Sequence, residues 1–559
     1  MAKPTENGYA AELALVGLVC LGLRFSAVHY GLPGLFNADE PHFVNVAVSF
    51  GKGSLNPGIF KYPTLWMYLL AAAYGAYFLA WSVLGLRATP RDFAHLFAWS
   101  PAPFYLIGRA LSAAANAAAV GLVWAAAGRV CGPRAGLWAA ALLAASPGAL
   151  DLAWAVKPDS LMLALSAGAW LAAVRALESR RRPPLLLCAT LTGLAVSTQY
   201  TAAPLAAVPA LVVLLSARGR GAMAAARELA LAAVASAAAF AAGSPFALLA
   251  RDTLMRDLGD HATVNFHSFP VGFGALSQLG RFGGAAWPLA AALAAIGTLS
   301  VARRDRRLAL LLALPPLLHA LTLTTASTGM LERYFFASVP ALAVLAAAGV
   351  ETAANAARLP LGSPWARAGV LAALMLPGAW RSGLEVRQRL LPDTRLAASS
   401  WIEENIPAGT VLILGEETDN PPLKPSREFL ERLLAAASKI SHPKARLYEL
   451  MLESHPGGGY GLYRMSREAL SIDTGPEHRR FSEAARLSIP VSGGVNALRA
   501  AGVKVVVLST AGLGRITPDF KAFMEQVYAQ GKPLAEFRPE EGRLKGPLIR
   551  VFMLISRGE

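Results

Sequence analysis

The chain begins as a succession of long apolar runs. From the N-terminus to about residue 390, runs of roughly 15 to 25 mostly apolar residues alternate with short polar loops. A helix of about 20 apolar residues is long enough to cross the hydrocarbon core of a bilayer. Residues 1–390 therefore predict a polytopic α-helical membrane domain. The predicted spans follow residues 11–28, 103–127, 134–151, 160–177, 185–200, 202–217, 229–250, 284–302, 308–325, 335–350 and 366–381.

The pattern changes near Asp393. Apolar runs shorten to about five to eight residues, as in TVLILG, VKVVVLS and LIRVFMLI. Helical patterns such as SREFLERLLAAASK alternate with them. Short apolar runs separated by helices are typical of an α/β domain. We therefore predict that residues 391–559 form a soluble α/β domain, tethered by the last predicted span.

Arginine-rich loops orient the predicted spans. Short cytoplasmic loops carry an excess of Lys and Arg, so an even number of crossings must separate each pair of such loops. About eleven spans meet this condition, with the N-terminus inside and residues 391–559 outside. The first apolar segment, Ala11 to Val28, has no small-residue cleavage signature and is predicted to be retained. The loops lie at Arg129/Arg134, 175–182, 218–220, 303–307 and Arg358/Arg367.

One apolar segment does not fit this orientation. Residues Pro63 to Leu86 are long enough to cross, but a crossing here would break the parity that the arginine-rich loops set. We predict instead a juxtamembrane or re-entrant helix within a long first outer loop, residues 29–102.

Composition agrees with a membrane protein. Hydrophobic residues make up 55% of the chain, charged residues 16%, and the mean hydropathy is +0.43. A net charge of +16 would suggest nucleic acid as a partner of a soluble protein. Here the surplus lies in short loops, which the positive-inside rule explains, so no nucleic acid partner is predicted. The cysteines Cys20, Cys131 and Cys188 form no CxxC motif, and neither a disulfide nor a thiolate metal site is expected.

Ionisable residues gather where the predicted topology places the outer face. Asp39, Glu40, His42 and Lys61 lie in the first outer loop, and three further outer segments carry charge. Ionisable groups collected at one membrane face indicate a functional site. The further segments are AWAVKPDS with Asp159, ERYFF with Glu332, Arg333 and Tyr334, and residues 251–281 with His261 and His267.

Each of these groups has a simpler alternative explanation. Asp39 and Glu40 precede Pro41 and an apolar run, and acidic residues are favoured at a helix N-terminus. His261 and His267 could join Asp159 or Glu40 around a divalent metal, but such histidines are more often ordinary loop residues. No cofactor is firmly implied. The intramembrane Arg24 and Arg109 either extend toward the interface or pair with a lipid phosphate.

The order of these motifs resembles a known superfamily. One helix is followed by DE at the start of a long loop, then KYPTLWMYLLA, a double helix beginning IGRALSAAANAAAV, and KPDSLMLAL. Further on come ERYFFASVPALAVLAAAG and LAASSWIEENIPAGTVLI. This arrangement is similar to the GT-C superfamily of polyprenyl-phosphate-dependent glycosyltransferases. Protein O-mannosyltransferases and the aminoarabinose transferases of lipid A are the members that it resembles most.

The resemblance implies roles for individual residues. Asp39 corresponds to the catalytic base at the outer mouth, with Glu40 beside it, and Asp159 to the acid of the second outer loop. Lys61 corresponds to a phosphate-contacting lysine, and Arg333 with Tyr334 to a pair near the lipid phosphate. His42, His261 and His267 are candidates for contact with substrate or metal.

The implied activity is an inverting transfer of a sugar from a polyprenyl phosphate to an acceptor at the outer face of the bacterial inner membrane. One base and a phosphate leaving group are sufficient for a single displacement. An alternative is a transporter or lipid flippase, although the sequence shows no inverted repeat and no matched pair of broken helices. A third interpretation, a membrane-anchored binding protein, leaves Asp39, Lys61 and Asp159 unexplained.

Overall fold

A computed structural model describes residues 9–86, 89–217, 221–267, 287–324, 332–415, 417–466, 486–510 and 518–555. The chain separates into two compact units. The first, here called the helical unit, comprises Met1–Val28, His42–Tyr74 and Tyr105–Val386. The second, here called the sheet unit, comprises His29–Pro41, Gly75–Phe104 and Arg387–Glu559. The predicted division at residue 390 is close to the start of the last of these segments.

Within the described residues, seventeen helices come before residue 394, and one further helix, given below, leads into the first strand. Short 3-10 turns include Tyr200–Ala206 and Glu332–Phe335. In chain order the seventeen helices are α1 (Ala10–Ser26), α2 (Glu40–Ser49), α3 (Leu65–Trp81), α4 (Pro90–Trp99), α5 (Ala102–Cys131), α6 (Pro133–Ala144), α7 (Pro147–Ala153), α8 (Asp159–Ser179), α9 (Arg182–Val196), α10 (Ala207–Ser216), α11 (Ala222–Gly243), α12 (Pro245–Leu249), α13 (Arg251–His267), α14 (Trp287–Arg304), α15 (Arg306–Thr324), α16 (Val339–Ala356) and α17 (Pro364–Leu390).

Within the described residues, six helical segments are long and apolar enough to cross a membrane, or seven if the bent pair α6 and α7 is one span. That pair meets at an angle of 64°. Where their residues are described, the predicted spans fall on helical segments, but several of these are short, so the number eleven stays a prediction. Residues Leu65–Leu84 also reach crossing length. The expectation that this segment does not cross stays a prediction as well. The six segments are Leu65–Leu84, Ala102–Cys131, Asp159–Ser179, Ala222–Gly243, Arg306–Leu323 and Val339–Ala356.

Small residues allow the helices of the helical unit to approach closely. Gly297 on α14 and Gly349 on α16 face each other's backbones, and a Cβ at either position would collide with a carbonyl of the opposite helix. Alanines and four fully buried tryptophans, among them Trp138 and Trp170, fill the remaining interior. Close packing through small side chains is the usual basis of helix association in membranes. The alanine-rich composition therefore has a structural explanation.

The sheet unit contains one six-stranded sheet in the order β3-β2-β1-β4-β6-β5. The first four strands in this order are parallel, and β6 and β5 add an antiparallel edge. The three predicted apolar runs became β1, β4 and β6, because each is buried and rich in branched residues. The strands are β1 (Val411–Leu414), β2 (Gly461–Ser466), β3 (Ser488–Pro490), β4 (Val505–Ser509), β5 (Gly531–Phe537) and β6 (Ile549–Leu554).

Helices accompany these strands in the sheet unit. Helix α18 precedes β1, α19 and α20 lie between β1 and β2, and α21 and α22 flank β4 along the chain. The side chains of Phe429, Phe520 and Phe523 are buried in the core of this unit. The mixed sheet with helices agrees with the predicted α/β class. The helices are α18 (Thr394–Asn405), α19 (Arg427–Lys439), α20 (Lys444–Glu453), α21 (Gly494–Ala500) and α22 (Pro518–Gln530).

Candidate functional site

The loop that carries Lys61 is fixed on both sides by hydrogen bonds within the helical unit. Before it, the backbone N–H of Phe60 donates to Oδ2 of Asp257 at 2.7 Å. After it, the backbone N–H of Thr64 donates to Oγ of Ser244 at 3.0 Å. Both contacts are buried, where a hydrogen bond is electrostatically stronger than in water. The backbone of Lys61 therefore follows a defined path.

Small hydroxyl side chains extend the anchor after Thr64. Its Oγ1 donates to the carbonyl of Gly243 at 3.0 Å, and the hydroxyls of Ser197 and Ser244 lie 2.8 Å apart. The backbone N–H of Leu65 donates to the carbonyl of Ser197 at 3.2 Å. A Cβ at Gly243 would collide with the Ser197 side chain, so only glycine fits this close approach. The start of α3 is thereby attached to the ends of α9 and α11.

An aromatic cluster stands beside Lys61. The ring of Tyr62 lies 4.9 Å from the ring of Phe43 and 5.6 Å from the imidazole of His42, measured between centroids. Rings at these separations attract one another through their quadrupoles. The structure thus brings His42, a candidate substrate contact, next to the loop of Lys61.

Asp159 is the first residue of α8, and its side chain is buried with 2% exposure. The amide Nε2 of Gln199 donates to its Oδ1 at 3.4 Å. A buried carboxylate needs such donors or a positive partner, because its desolvation is costly. The helix N-terminus also favours a negative charge at this position.

Arg333 supplies the positive partner in this region. Burial alone would lower its pKa, but the charge of Asp159 and the phenolic oxygens of Tyr334 and Tyr62 outweigh burial and raise the pKa above its ordinary value. The guanidinium carbon lies 5.4 Å from the centre of the Tyr334 ring. Arg333 therefore remains a cation at every ordinary pH. The structure brings together Asp159, Arg333, Tyr334 and Tyr62, and the side chain of Glu332 lies outside the described residues.

Gln199 was missed by the sequence analysis. Its side chain is 3% exposed, and within the described part of the chain its Oε1 has no hydrogen-bond partner although Nε2 contacts Asp159. The phenolic oxygen of the neighbouring Tyr200 is buried without a partner among those same residues. The sequence feature that could have pointed to Gln199 is the polar run STQY, which lies between two apolar runs. A lone histidine in the apolar α15, His319, gives a similar signal, and its Nδ1 lies 2.8 Å from Oγ of Ser338.

Asp39 and Glu40 belong to the sheet unit. The backbone N–H of Asp39 donates to Oδ1 of Asn37 at 3.1 Å. Glu40 is the first residue of α2 and is fully buried. The helix-terminus explanation therefore accounts for the position of Glu40, and it leaves the role of Asp39 as a prediction.

The histidines proposed for a metal are only partly described. His261 and His267 lie on α13, but their side chains fall outside the described residues. Within the part of the chain that the structure does describe, no group of three His, Cys, Asp or Glu side chains is arranged to hold a metal ion. Metal binding by the two histidines thus stays a hypothesis.

Neither alternative for Arg24 was right. The side chain is fully buried, and its Nη1 and Nη2 donate to the carbonyls of Ala144 at 3.0 Å and Leu143 at 3.2 Å. Its Nε donates to Oδ1 of Asn116 at 2.9 Å, and Nδ2 of Asn116 lies 3.2 Å from Oγ of Ser160. Arg24 therefore satisfies the free carbonyls at the end of α6. The same network reaches the residue after Asp159.

Arg109 is also fully buried and does not extend toward an interface. Its Nη1 donates to the backbone carbonyl of Val28 at 3.1 Å. This contact ties α5 to the end of the first helical segment.

Comparisons with known proteins agree with this architecture. Residues 105–247 match the family model described as dolichyl-phosphate-mannose-protein mannosyltransferase. No curated protein sequence matches the chain. The fold is similar to that of ArnT from Cupriavidus metallidurans in two crystal structures. The structure bound to undecaprenyl phosphate has a TM-score of 0.54 and 15% identity, over 98% of both chains. The apo structure has a TM-score of 0.55 and 14% identity, over 97% of this chain and 98% of ArnT.

A more distant similarity is to the oligosaccharyltransferase AglB from Archaeoglobus fulgidus. Its TM-score is 0.48 at 13% identity, over 89% of this chain and 69% of AglB.

The family match and the fold shared with ArnT confirm the predicted class. The chain is a multi-pass membrane protein with the fold of the GT-C glycosyltransferases. The predicted resemblance to this superfamily is therefore confirmed, as is the predicted enzyme class, a glycosyltransferase of GT-C type.

Proposed function

We propose that this protein transfers a sugar from a polyprenyl-phosphate donor to an acceptor at the outer face of a bacterial inner membrane. The observation that carries the proposal is the group formed by the buried Asp159 and the half-buried Arg333, Tyr334 and Tyr62, in which Arg333 is held as a cation. A lipid-linked phosphate is an anion that suits such a cation beside the start of an apolar helix. ArnT, whose fold this chain shares, was crystallised with undecaprenyl phosphate.

The proposed reaction is a single displacement at the anomeric carbon. An acceptor hydroxyl attacks, its oxygen forms the new bond to that carbon, and Asp39 takes the hydroxyl proton as general base. The bond to the phosphate oxygen breaks, and its electron pair leaves with the polyprenyl phosphate. Attack from the side opposite the leaving group inverts the anomeric configuration, and no carboxylate nucleophile is required.

Cations stabilise the leaving group in this proposal. Negative charge grows on the phosphate as the bond breaks, and Lys61 and Arg333 supply positive charge there before the reaction begins. Tyr334 contributes a phenolic donor to the same phosphate. Glu40 and Asp159 are the further carboxylates of the proposed site. Asp159 faces Arg333 and orients it.

The decisive experiment separates chemistry from donor binding. Asp39→Asn keeps the shape of the side chain but removes the base, so we expect turnover to fall by about 10²–10⁴-fold. Binding of polyprenyl phosphate, titrated in detergent, should remain unchanged. Asp252→Asn, at an exposed carboxylate on α13, serves as the matched control and should keep normal turnover. Near-normal turnover of Asp39→Asn would remove Asp39 from the reaction.

The rival transporter function has a distinct outcome. Wild-type protein reconstituted in vesicles should form a glycosylated product from a polyprenyl-phosphate sugar and should leave its distribution between the leaflets unchanged. Movement of the donor across the bilayer without any product would favour the transporter over the glycosyltransferase.

The proposed orientation places the N-terminus in the cytoplasm and the soluble domain of residues 391–559 outside it, with about eleven spans. Single cysteines introduced at the exposed positions Arg180 and Glu428, into a background without the three native cysteines, should react with an impermeant reagent from opposite sides of sealed vesicles. Reaction of both from one side would contradict this topology.

A further inference from the structure

The proposed mechanism makes no use of His319, a histidine enclosed within the helical unit. It lies on α15, a helix that is long and apolar enough to cross a membrane, and its side chain is 1% exposed. An ionisable side chain inside a membrane helix is costly, and such residues generally meet a specific polar partner. The partners of His319 therefore indicate what a polar side chain does at this position.

Ser338 is the first partner of His319. Nδ1 of the imidazole lies 2.8 Å from Oγ of Ser338, whose side chain is 3% exposed. Ser338 is the N-cap residue of α16, and a serine hydroxyl at such a position usually accepts from a backbone N–H of its own helix. Here the hydroxyl makes no capping bond. It therefore serves the contact with α15 instead of the start of α16.

The imidazole also contacts the 3-10 turn Glu332–Phe335, which carries Arg333. Its ring centroid lies 5.3 Å from that of the Phe335 ring. It lies against the backbone of Tyr334 as well. His319 thus contacts this turn directly and, through Ser338, the first residue of the helix that follows it.

A second turn lies against the same imidazole. The contact is with the backbone of Thr201 in the 3-10 turn Tyr200–Ala206, and α15 packs against both turns. The residue directly before this second turn is Gln199, which donates to Asp159. Arg333, in the other turn, interacts with the charge of Asp159. One side chain therefore touches both of the turns that meet at this carboxylate.

We propose that His319 is a positioning residue of the donor site. Its imidazole keeps the two turns at a fixed separation, so that Gln199 and Arg333 both reach Asp159. It does not contact the substrate. A displacement of about 1 Å at a catalytic group is enough to reduce activity strongly. The effect on donor binding rests on the proposed sugar-transfer function, whereas the placement of the turns is a property of the fold.

The central variant is His319→Leu, because leucine is close to histidine in volume but has no polar atom in its side chain. Undecaprenyl phosphate is titrated against the full-length protein in detergent. We expect its affinity to fall by about tenfold, the effect of weakening one hydrogen bond to a charged group. His319→Gln carries an amide that reaches the position of Nε2 and should recover most of the affinity. Normal binding by His319→Leu, or equally weak binding by both variants, would overturn the proposal.

Leu312→Ala is the matched control for a loss of packing in the same helix. Leu312 is fully buried on α15, so its truncation should lower the unfolding temperature while leaving the affinity for undecaprenyl phosphate unchanged. His319→Leu should lower the unfolding temperature less and weaken binding more. Equal weakening of binding in the two variants would show that affinity follows overall stability, and it would contradict a positioning role.

A double variant tests whether His319 acts through Arg333. His319→Leu should weaken binding in the wild-type background and add no further loss in the Arg333→Ala background, because the two changes affect one contact with the phosphate. The same loss of affinity in both backgrounds would show that His319 acts independently of Arg333.

Hydrogen exchange separates a failure of this inference from a failure of the proposed function. The amides of residues 200–206 and 332–336 should exchange faster in His319→Leu than in the wild type, and His319→Gln should restore their protection. If the wild type binds no undecaprenyl phosphate but this difference in exchange is present, only the proposed function is contradicted. Unchanged exchange in both turns would overturn the positioning role even if the wild type binds the lipid.

Discussion

Two buried or half-buried arginines of the helical unit contrast with an exposed arginine of the sheet unit. In the helical unit, Arg24 is fully buried, and Arg333 is held among Asp159 and two phenols. In the sheet unit, the side chain of Arg91 is 65% exposed where it meets Glu453. A buried polar group depends on its few partners, whereas an exposed one can exchange its partner for water. The effect of removing a charge should therefore be large at Arg24 and Arg333 and small at Arg91.

The largest effect is expected at Arg333. Arg333→Ala removes the cation that we propose faces the leaving phosphate, so turnover should fall by about 10²–10³-fold. Lys61→Ala and Arg333→Ala should each weaken polyprenyl-phosphate binding, and the two losses should be non-additive because both cations contact one phosphate in the proposed site. Binding is titrated in detergent for the wild type, both variants and the double variant.

The control for Arg333 is Arg538→Ala, which removes an exposed arginine of the sheet unit. It should leave both turnover and binding unchanged. If Lys61→Ala and Arg333→Ala both bind the lipid normally, the donor phosphate lies elsewhere. The difference in burial between the arginines of the two units would then have no consequence for donor binding.

A smaller but substantial effect is expected at Arg24, on stability. Arg24→Leu leaves the carbonyls of Leu143 and Ala144 without their donors, which should lower the free energy of unfolding by about 1–3 kcal/mol. Thermal unfolding in detergent measures the loss. Arg175→Leu, at an exposed arginine on α8, is the matched control. Equal unfolding temperatures for the two variants would mean that the buried network contributes no more than a surface charge.

Gln199 should have a moderate effect on turnover. Gln199→Leu fills a similar volume but removes the donor to Asp159 and the unpaired oxygen beside it, and we expect a loss of about tenfold in turnover. Gln199→Glu also removes the Nε2 donor but keeps an acceptor, so it distinguishes the role of the donor from that of the oxygen. If Gln199→Leu is as active as the wild type, the side chain of Gln199 contributes only to packing.

The smallest effect is expected at the exposed ion pairs of the sheet unit. Arg91 and His95 on α4 both contact Glu453, at 2.7 and 3.0 Å, and they lower the pKa of Glu453 from 4.5 to about 2. A carboxyl with a lowered pKa stabilises the fold above its unfolded pKa, and this contribution is lost as pH falls through the folded value. The contribution of Glu453 should therefore fade between about pH 4.5 and 2.

Hydrogen exchange over α4 in the full-length protein, corrected for the intrinsic effect of pH, tests this. Glu453→Gln should increase exchange slightly at neutral pH, and the difference from wild type should vanish toward pH 2. A large effect on turnover from Glu453→Gln would contradict the division between buried and exposed charges.

The sequence determined much of the fold because its patterns are local. Apolar runs of span length produced helices such as α5, α8 and α16, and three short apolar runs produced β1, β4 and β6. Both outcomes follow from hydrophobic periodicity and length, which depend on neighbouring residues alone. Asp159, Arg333 and Tyr334 were likewise visible as charged or phenolic residues beside apolar helices, and the structure places them together.

Only the tertiary structure decided how that group is supported. The contact between Phe60 and Asp257 joins residues 197 positions apart, and Arg24 meets the carbonyl of Ala144 120 positions away. A carbonyl carries no side-chain signature, so nothing in the sequence shows which one an arginine will contact. Gln199 was missed for the same reason, since a glutamine becomes informative only when the fold buries it beside a carboxylate. Local pattern sets the elements, and long-range packing sets the partners.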